Sequence, residues 1–274
     1  LDGDVKANAI VGEYQRDNAT RAQGGTLDVS LLRNQNSQQQ LRIVYGQVAH
    51  DIGVDDKLVT ADDNTTSEQI LAQAEQLQGA AKNVLIDDDG DGVAELLVSD
   101  KMLSDSGLSS IRFAMNGGVA VEKGADLQLA DGASLALAGT SIEHAGNITA
   151  HGGSVSLRAD LGVGQLEINN DYTVNQFPVL LAQGSHIDVS GRFTNDMPVA
   201  LSGLPTDAVT IDAGSVKLQA RGALQIDEGA VINADGGAWI NSNAKLKAGK
   251  GGDVSLVSRV VDGADVTLNG DISS

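Results

Sequence analysis

The 274-residue sequence contains no cysteine. A disulfide framework is therefore excluded, and stability has to come from packing and backbone hydrogen bonds. Proline occurs only three times, which argues against a Pro/Gly-rich linker. Aromatic residues make up 3% of the chain. An interior that cannot lean on large rings must be filled by Val, Ile, Leu and Ala. Cationic residues are scarce: 18 Lys and Arg stand against 37 Asp and Glu, a net charge of -19. That balance speaks against nucleic acid, whose binding requires phosphates neutralised by Lys and Arg, and against docking on an anionic membrane surface. It suits divalent cations and an extracellular location. No window approaches the roughly 18 consecutive apolar residues of a membrane helix, so membrane insertion is not expected. The sequence opens "LDGDVK", without an initiator Met or a recognisable signal peptide, and reads as an internal piece of something longer.

What is abundant is glycine, at 33 residues. From Val119 onward, as in "GGVAVEKGADLQLADGASLALAG", apolar and polar residues alternate and Gly, Asp-Gly or Lys-Gly marks each break. Period two means half-buried strands, and the breaks mean turns every few residues. The same words return. "GGSVSLRAD" at Gly152 reappears as "AGSVKLQAR" at Ala213 and "KGGDVSLVSR" at Lys250. "GSHIDVSG" at Gly184 reappears loosely as "GAVINADGG" at Gly229 and "GNITAHGG" at Gly146. A degenerate repeat of short strands, about four or five residues each, predicts an all-β solenoid. A meandering sandwich spaces its turns more widely. The expected fold is a right-handed parallel β-helix, in which no coil buries its apolar face alone and stacked coils share one core.

Three stretches are expected. Residues 1–59 form a β-rich start to the shaft, with strands in "GGTLDVSLLRN" (24–34) and "QQLRIVYGQV" (39–48). Residues 60–118 form a helical excursion. "TTSEQILAQAEQLQG" carries a helical apolar stripe at Ile70, Leu71, Ala74 and Leu77, with Thr65, Thr66 or Ser67 as cap and Gly79 as stop. A shorter helix is expected in "DKMLSDSG" (100–107). Residues 119–274 form the coils.

The excursion contains "NVLIDDDGDGVAELLVSD" (83–100). Asp87, Asp89, Asp91 and Glu95 place carboxylates at positions 1, 3, 5 and 9 of a loop. Gly92 stands at position 6 for the sharp turn, and the Val93 carbonyl at position 7. That is how an oxygen-donor loop wraps Ca2+. Position 12 is Val98 rather than the bidentate Glu of an EF-hand. With "NVLI" and "ELLV" as flanking strands, the loop resembles the calcium-binding hairpins of integrin-type β-propeller blades. Asp88 is read as a bystander. The competing reading is an acidic turn, since Asp-Gly is a strong turn former.

Catalytic signatures are missing: no Gly-x-Ser-x-Gly elbow, no Walker loop, no Gly-x-Gly-x-x-Gly. His50, His144, His151 and His186 are scattered without zinc-like company. Asp62 and Asp63 could be drawn into a glycosidase scheme, but nothing selects that pair, and no enzymatic activity is expected. Trp239 reads as a partly buried coil residue rather than a sugar platform. Asn18, Asn64 and Asn147 begin Asn-x-Ser/Thr triplets.

"GSHIDVSGRFTND" (184–196), "LLVSDKMLSDSGLSSIRF" (96–113) and "GGTLDVSL" (from Gly24) resemble segments of the large filamentous-haemagglutinin-like exoproteins of bacteria. The resemblance implies a β-helical shaft, secreted or displayed on the bacterial surface and exported through an outer-membrane partner of the two-partner secretion type. It implies adhesion to a host-cell receptor, an extracellular polysaccharide or a biofilm matrix. The alternatives are a calcium-dependent polysaccharide-binding matrix protein and, in the enzyme class, a β-helical polysaccharide lyase or hydrolase.

Overall fold

The structure is a computed structural model, described for residues 5–10, 16, 22–31, 39–45, 94–160, 177–197, 208–258 and 266–274. It is all-β apart from one short helix among the described residues. Three parallel sheets carry the chain. The first takes β1 (Thr26–Leu31), β4 (Ser110–Met115), β7 (Ser134–Gly139), β10 (Ser154–Ala159), β14 (Ser215–Ala220) and β19 (Asp253–Ser258) in that spatial order. The second runs β3 (Ala94–Ser99), β2 (Gln39–Val44), β5 (Val119–Val121), β8 (Ile142–His144), β11 (Val179–Leu181), β15 (Leu224–Ile226) and β20 (Val266–Leu268). The third runs β6 (Asp126–Gln128), β9 (Asn147–Thr149), β12 (His186–Asp188), β16 (Val231–Asn233) and β21 (Asp271–Ser273). From β4 onward the chain visits the three sheets in rotation and each return lands beside the strand of the turn before, whereas β3 follows β2 in the chain and lies on its outer side in the second sheet. The strands are six residues long in the first sheet and mostly three in the others. The expected four or five averaged two lengths.

Alternation explains which side chains go inside. In the first sheet, Leu27, Ile111, Leu135, Val155, Val216 and Val254 are register partners in succession. Two residues on, so are Val29, Phe113, Leu137, Leu157, Leu218 and Leu256. The third sheet contributes Leu127, Ile148, Ile187, Ile232 and Ile272. Apart from the first and last turns, these ladders are fully buried and belong to one cluster. Stacking like on like at the strand spacing of about 4.8 Å builds a core from aliphatics, with Phe113 the main aromatic in it.

Glycine does two jobs here. Between the second and third sheets the chain turns in four residues, as at Ala182–Ser185, where the Ser185 amide donates to the Ala182 carbonyl (3.0 Å) and Gly184 takes φ +78°. A side chain at that φ is strained. At the entry to the first sheet the reason is closeness. A Cβ on Gly214 would lie 1.7 Å from the Gly153 carbonyl oxygen of the turn before. The glycine that precedes each "SV" or "DV" word is therefore set by rung-to-rung contact.

The start of the third sheet is closed by α1 (Asp100–Asp105), capped by Ser99, whose side chain accepts from the Met102 amide. A fourth sheet, β13 (Phe193–Asn195), β17 (Ala238–Ile240) and β18 (Leu246–Ala248), extends the later turns. Its β17–β18 pair is antiparallel, the one departure from parallel pairing among the described strands, in a stretch expected to stack in parallel throughout. The reason is a local hairpin: Asn241 Oδ1 accepts from the amides of Asn243 and Lys245, both at 3.0 Å. The parallel pairing also reaches upstream of Val119, because β1, β2 and β4 lie in the same sheets as the later strands. The helix expected within 65–79 lies outside the described residues, and no described helix is long and apolar enough to cross a membrane.

Candidate functional site

Of the expected calcium ligands, Asp87, Asp89, Asp91 and Val93 lie outside the described residues. Glu95 is described. It sits in β3, 2% exposed, opposite Gln40 of β2. Its carboxylate lies 3.8 Å from Arg42 Nη1, and Arg42 Nε donates to Glu122 at 2.5 Å. Burial of a carboxylate is costly unless a cation is near, and Arg42 provides that cation from the neighbouring strand. Alternation in β2 puts Leu41 and Ile43 into the core and Arg42 between Glu95 and Glu122. Among the described residues, no group of three or more His, Asp and Glu is arranged to hold a metal ion.

A cavity of about 130 Å³ opens where the N-terminal segment crosses the first turns. Its polar lining includes Asn8, Gln23, Ser109 and Asp131, with Gly24 and Gly107 forming part of its wall. Asp131 is engaged on both oxygens: Arg192 Nε donates to Oδ1 (3.0 Å) and Thr210 Oγ1 to Oδ2 (3.1 Å). It ties the corner between β6 and β7 to the connection between β12 and β14.

The most developed electrostatic cluster is Asp196 with Arg16 and Trp239. Arg16 donates from Nη1 to Oδ2 (2.6 Å) and from Nη2 to Oδ1 (2.9 Å), and Trp239 Nε1 donates to Oδ2 (2.7 Å). The Arg16 hydrogen bonds hold the Asp196 carboxyl below the ordinary carboxylate range against its burial, and the Trp239 bond adds to the effect. A bidentate guanidinium–carboxylate pair is the strong geometry for such a contact. Trp239 is half-buried in β17, as the sequence suggested, and its indole N–H is used inside the molecule. The separation of 180 positions between Arg16 and Asp196 left no local signal of this pairing.

His144 is the other buried titratable group. Its register partners in the second sheet are Val121 and Leu181, so the ring occupies an apolar ladder position and is 0% exposed. Burial pushes its pKa down from 6.5 to about 4, the backbone bond to His186 partly opposing it and the neighbouring His186 ring adding to it. Nε2 lies 3.1 Å from the His186 carbonyl oxygen. Because a carbonyl only accepts, Nε2 carries the hydrogen. His151 Nδ1 lies 3.0 Å from the Ser190 carbonyl. Of the sequon residues, Asn147 is exposed in β9. Asn18 and Asn64, like Asp62, Asp63 and His50, lie outside the described residues.

The described polar side chains thus hold the turns together. Some pair across neighbouring strands, some join distant connections, and some close two-residue turns, such as Asp188 Oδ1 accepting from the Ser190 amide at 2.9 Å. Neither a family model, nor any curated protein, nor any solved structure matches this chain.

Proposed function

We propose that the chain forms part of a right-handed parallel β-helical shaft, that of a secreted or surface-displayed bacterial adhesin of the filamentous-haemagglutinin-like kind. The observation that carries this reading is the rotation through three parallel sheets, with one aliphatic ladder shared by successive turns. The right-handed sense follows from the near-universal handedness of parallel strand crossovers. Such a stack presents long faces of short polar side chains, as in the outward ladder Gln128, Thr149, Asp188, Asn233 and Ser273. A surface of that kind binds by extended contact rather than in a deep pocket, and the partner class is a host-cell receptor or extracellular polysaccharide.

Export through an outer-membrane secretion partner is part of the same reading and rests on the resemblance. So does calcium. Asp87, Asp89, Asp91 and Glu95 with the Val93 carbonyl would hold one Ca2+, which would offset the repulsion of four carboxylates. A site binding only the folded state stabilises it by about 2.7 kcal/mol at a hundredfold excess over the dissociation constant.

The test is attachment. Beads coated with the purified chain should adhere to host cells or to immobilised polysaccharide, and free chain should compete. Calcium should raise the melting temperature relative to chelator, and Asp89→Ala should abolish that difference. Release of reducing ends or unsaturated sugars from a glycan panel would replace this reading by the lyase or hydrolase. Absence of adhesion to every surface would remove the adhesive role.

A further inference from the structure

The cavity of about 130 Å³ is walled by the residues just before β1, β4 and β7, and Asn8 and Ala9 of the N-terminal segment close one side. The segment is fixed there by backbone bonds. The Ala7 amide donates to the Ser106 carbonyl (2.8 Å), and the Gly25 amide donates to the Ala7 carbonyl (2.9 Å). Gly107 takes φ +66°, and a Cβ on it would lie 1.6 Å from Asn8 Oδ1. A side chain at 107 would therefore push the segment away, so this part of the wall is bare backbone with Asn8 held against it.

The hydrogen-bonding groups around the cavity have capacity left. Among the described residues, the carboxamides of Asn8 and Gln23 have no hydrogen-bond partner, and both residues are exposed. Ser109 Oγ donates to the Gly24 carbonyl (2.6 Å), which leaves its lone pairs to accept. Each Asp131 oxygen accepts one bond, from Arg192 or from Thr210, and has a second lone pair. Between these polar groups stand the methyls of Ala9, Ala22 and Ala130. Charge narrows the choice of ligand. Asp131 is the one charged group among the described lining residues, and Arg192 already balances it. A single balanced carboxylate is too poor a donor set for a metal ion, and it repels an anion.

We propose that this cavity binds one neutral hexose unit of an extracellular glycan. A carboxamide presents a donor and an acceptor side by side, which matches two adjacent sugar hydroxyls. Asn8 and Gln23 supply two such pairs, Ser109 and Asp131 accept further hydroxyls, and the alanine methyls meet the C–H face of the ring. The volume admits one ring, and the rest of the glycan leaves through the mouth and runs over the surface of the stack. The inference rests on the adhesive reading for the class of partner and locates where one unit of that partner is gripped.

The experiment is ligand-observed saturation-transfer NMR on the full chain. The probes are the methyl glycosides of glucose, galactose, mannose and N-acetylglucosamine at millimolar concentration, with methyl glucuronide as the charged comparison. At least one neutral glycoside should bind with a millimolar dissociation constant, and the glucuronide should bind at least about tenfold more weakly. Asn8→Ala and Gln23→Ala should each weaken binding about fivefold, the effect of one lost hydrogen bond. Ala22→Trp, which fills the cavity from an exposed position, should abolish binding. Gln183→Ala, at an exposed corner between the second and third sheets, should leave it unchanged. Circular dichroism of each variant checks that the fold is kept. No transfer to any neutral glycoside overturns the proposal, as does binding that survives Ala22→Trp or favours the glucuronide. If coated beads adhere to polysaccharide while no neutral glycoside binds, the site is wrong and the adhesive reading stands. If a glycoside binds here and the beads adhere to nothing, the site stands and the adhesive reading falls.

Discussion

His144 occupies a position that Val121 and Leu181 fill on the neighbouring turns. The apolar ladder excludes the charge an imidazolium needs solvated, so the ring stays neutral well below its ordinary pKa. In the unfolded chain the same ring protonates near 6.5. Between pH 6.5 and about 4 the unfolded state therefore holds a proton that the folded state does not, and stability falls as pH falls through that window. A single group with this depression costs about 2 kcal/mol on going from pH 7 to pH 5, from the value of one pKa unit. His144→Leu should remove that part of the loss in urea denaturation at the two pH values. An unchanged loss would show that another group is responsible. The sequence alone left His144 as a scattered histidine. The alternation around it, "SIEHAG", points inward at Ile142 and His144 alike, but a polar residue at an inward position is no signal of its own until the rung above and below is known.

At the scale of elements, α1 shows how a parallel stack ends a sheet without leaving backbone groups bare. The free edge of β6 points its amides at the helix. Asp100 Oδ2 accepts from the Asp126 amide (2.8 Å) and Ser104 Oγ from the Gln128 amide (2.9 Å). The helix thus stands where a preceding strand would otherwise pair. Asp100 is 4% exposed, and removing a buried acceptor leaves its donors unsatisfied at about 1–3 kcal/mol. Asp100→Ala should destabilise by that amount and speed hydrogen exchange at the Asp126 amide. Asp100→Asn, which keeps an acceptor oxygen, should lose less. Equal exchange in wild type and Asp100→Ala would show that the helix does not seal this edge. The helix itself was legible, since Ser99 precedes it and "SG" follows it. Its role was not, because the contact lies 24–26 residues away in sequence and depends on which strand forms the edge. The β17–β18 hairpin was hidden for a similar reason: "AWINSNAKLKAG" alternates like a parallel strand pair, and the bonds that turn it back are local to Asn241–Lys245, from the Asn241 side chain and from the backbone.

For the molecule as a whole, period-two alternation and recurring glycine words made the all-β character and the parallel stacking readable. Both come from interactions repeated at every turn. The long-range ties were not readable. Asp131 with Arg192 and Thr210, and Asp196 with Arg16, join residues 61 to 180 positions apart, and each occurs once. A charge of -19 is tolerable because the outward positions spread it along the sheets while the ladders keep the interior apolar. The central claim is that successive turns stack in parallel and in register, so that Asp28, Arg112, Ala136, Ser156 and Lys217 stand in one row. Asp28 and Lys217 are both exposed, and four strand spacings separate them, about 19 Å between backbones. Spin labels introduced as Asp28→Cys and Lys217→Cys test this row directly by pulsed dipolar spectroscopy. A single narrow distance distribution near that separation is the result the stack predicts, and a broad distribution or a distance of twice that length would contradict it.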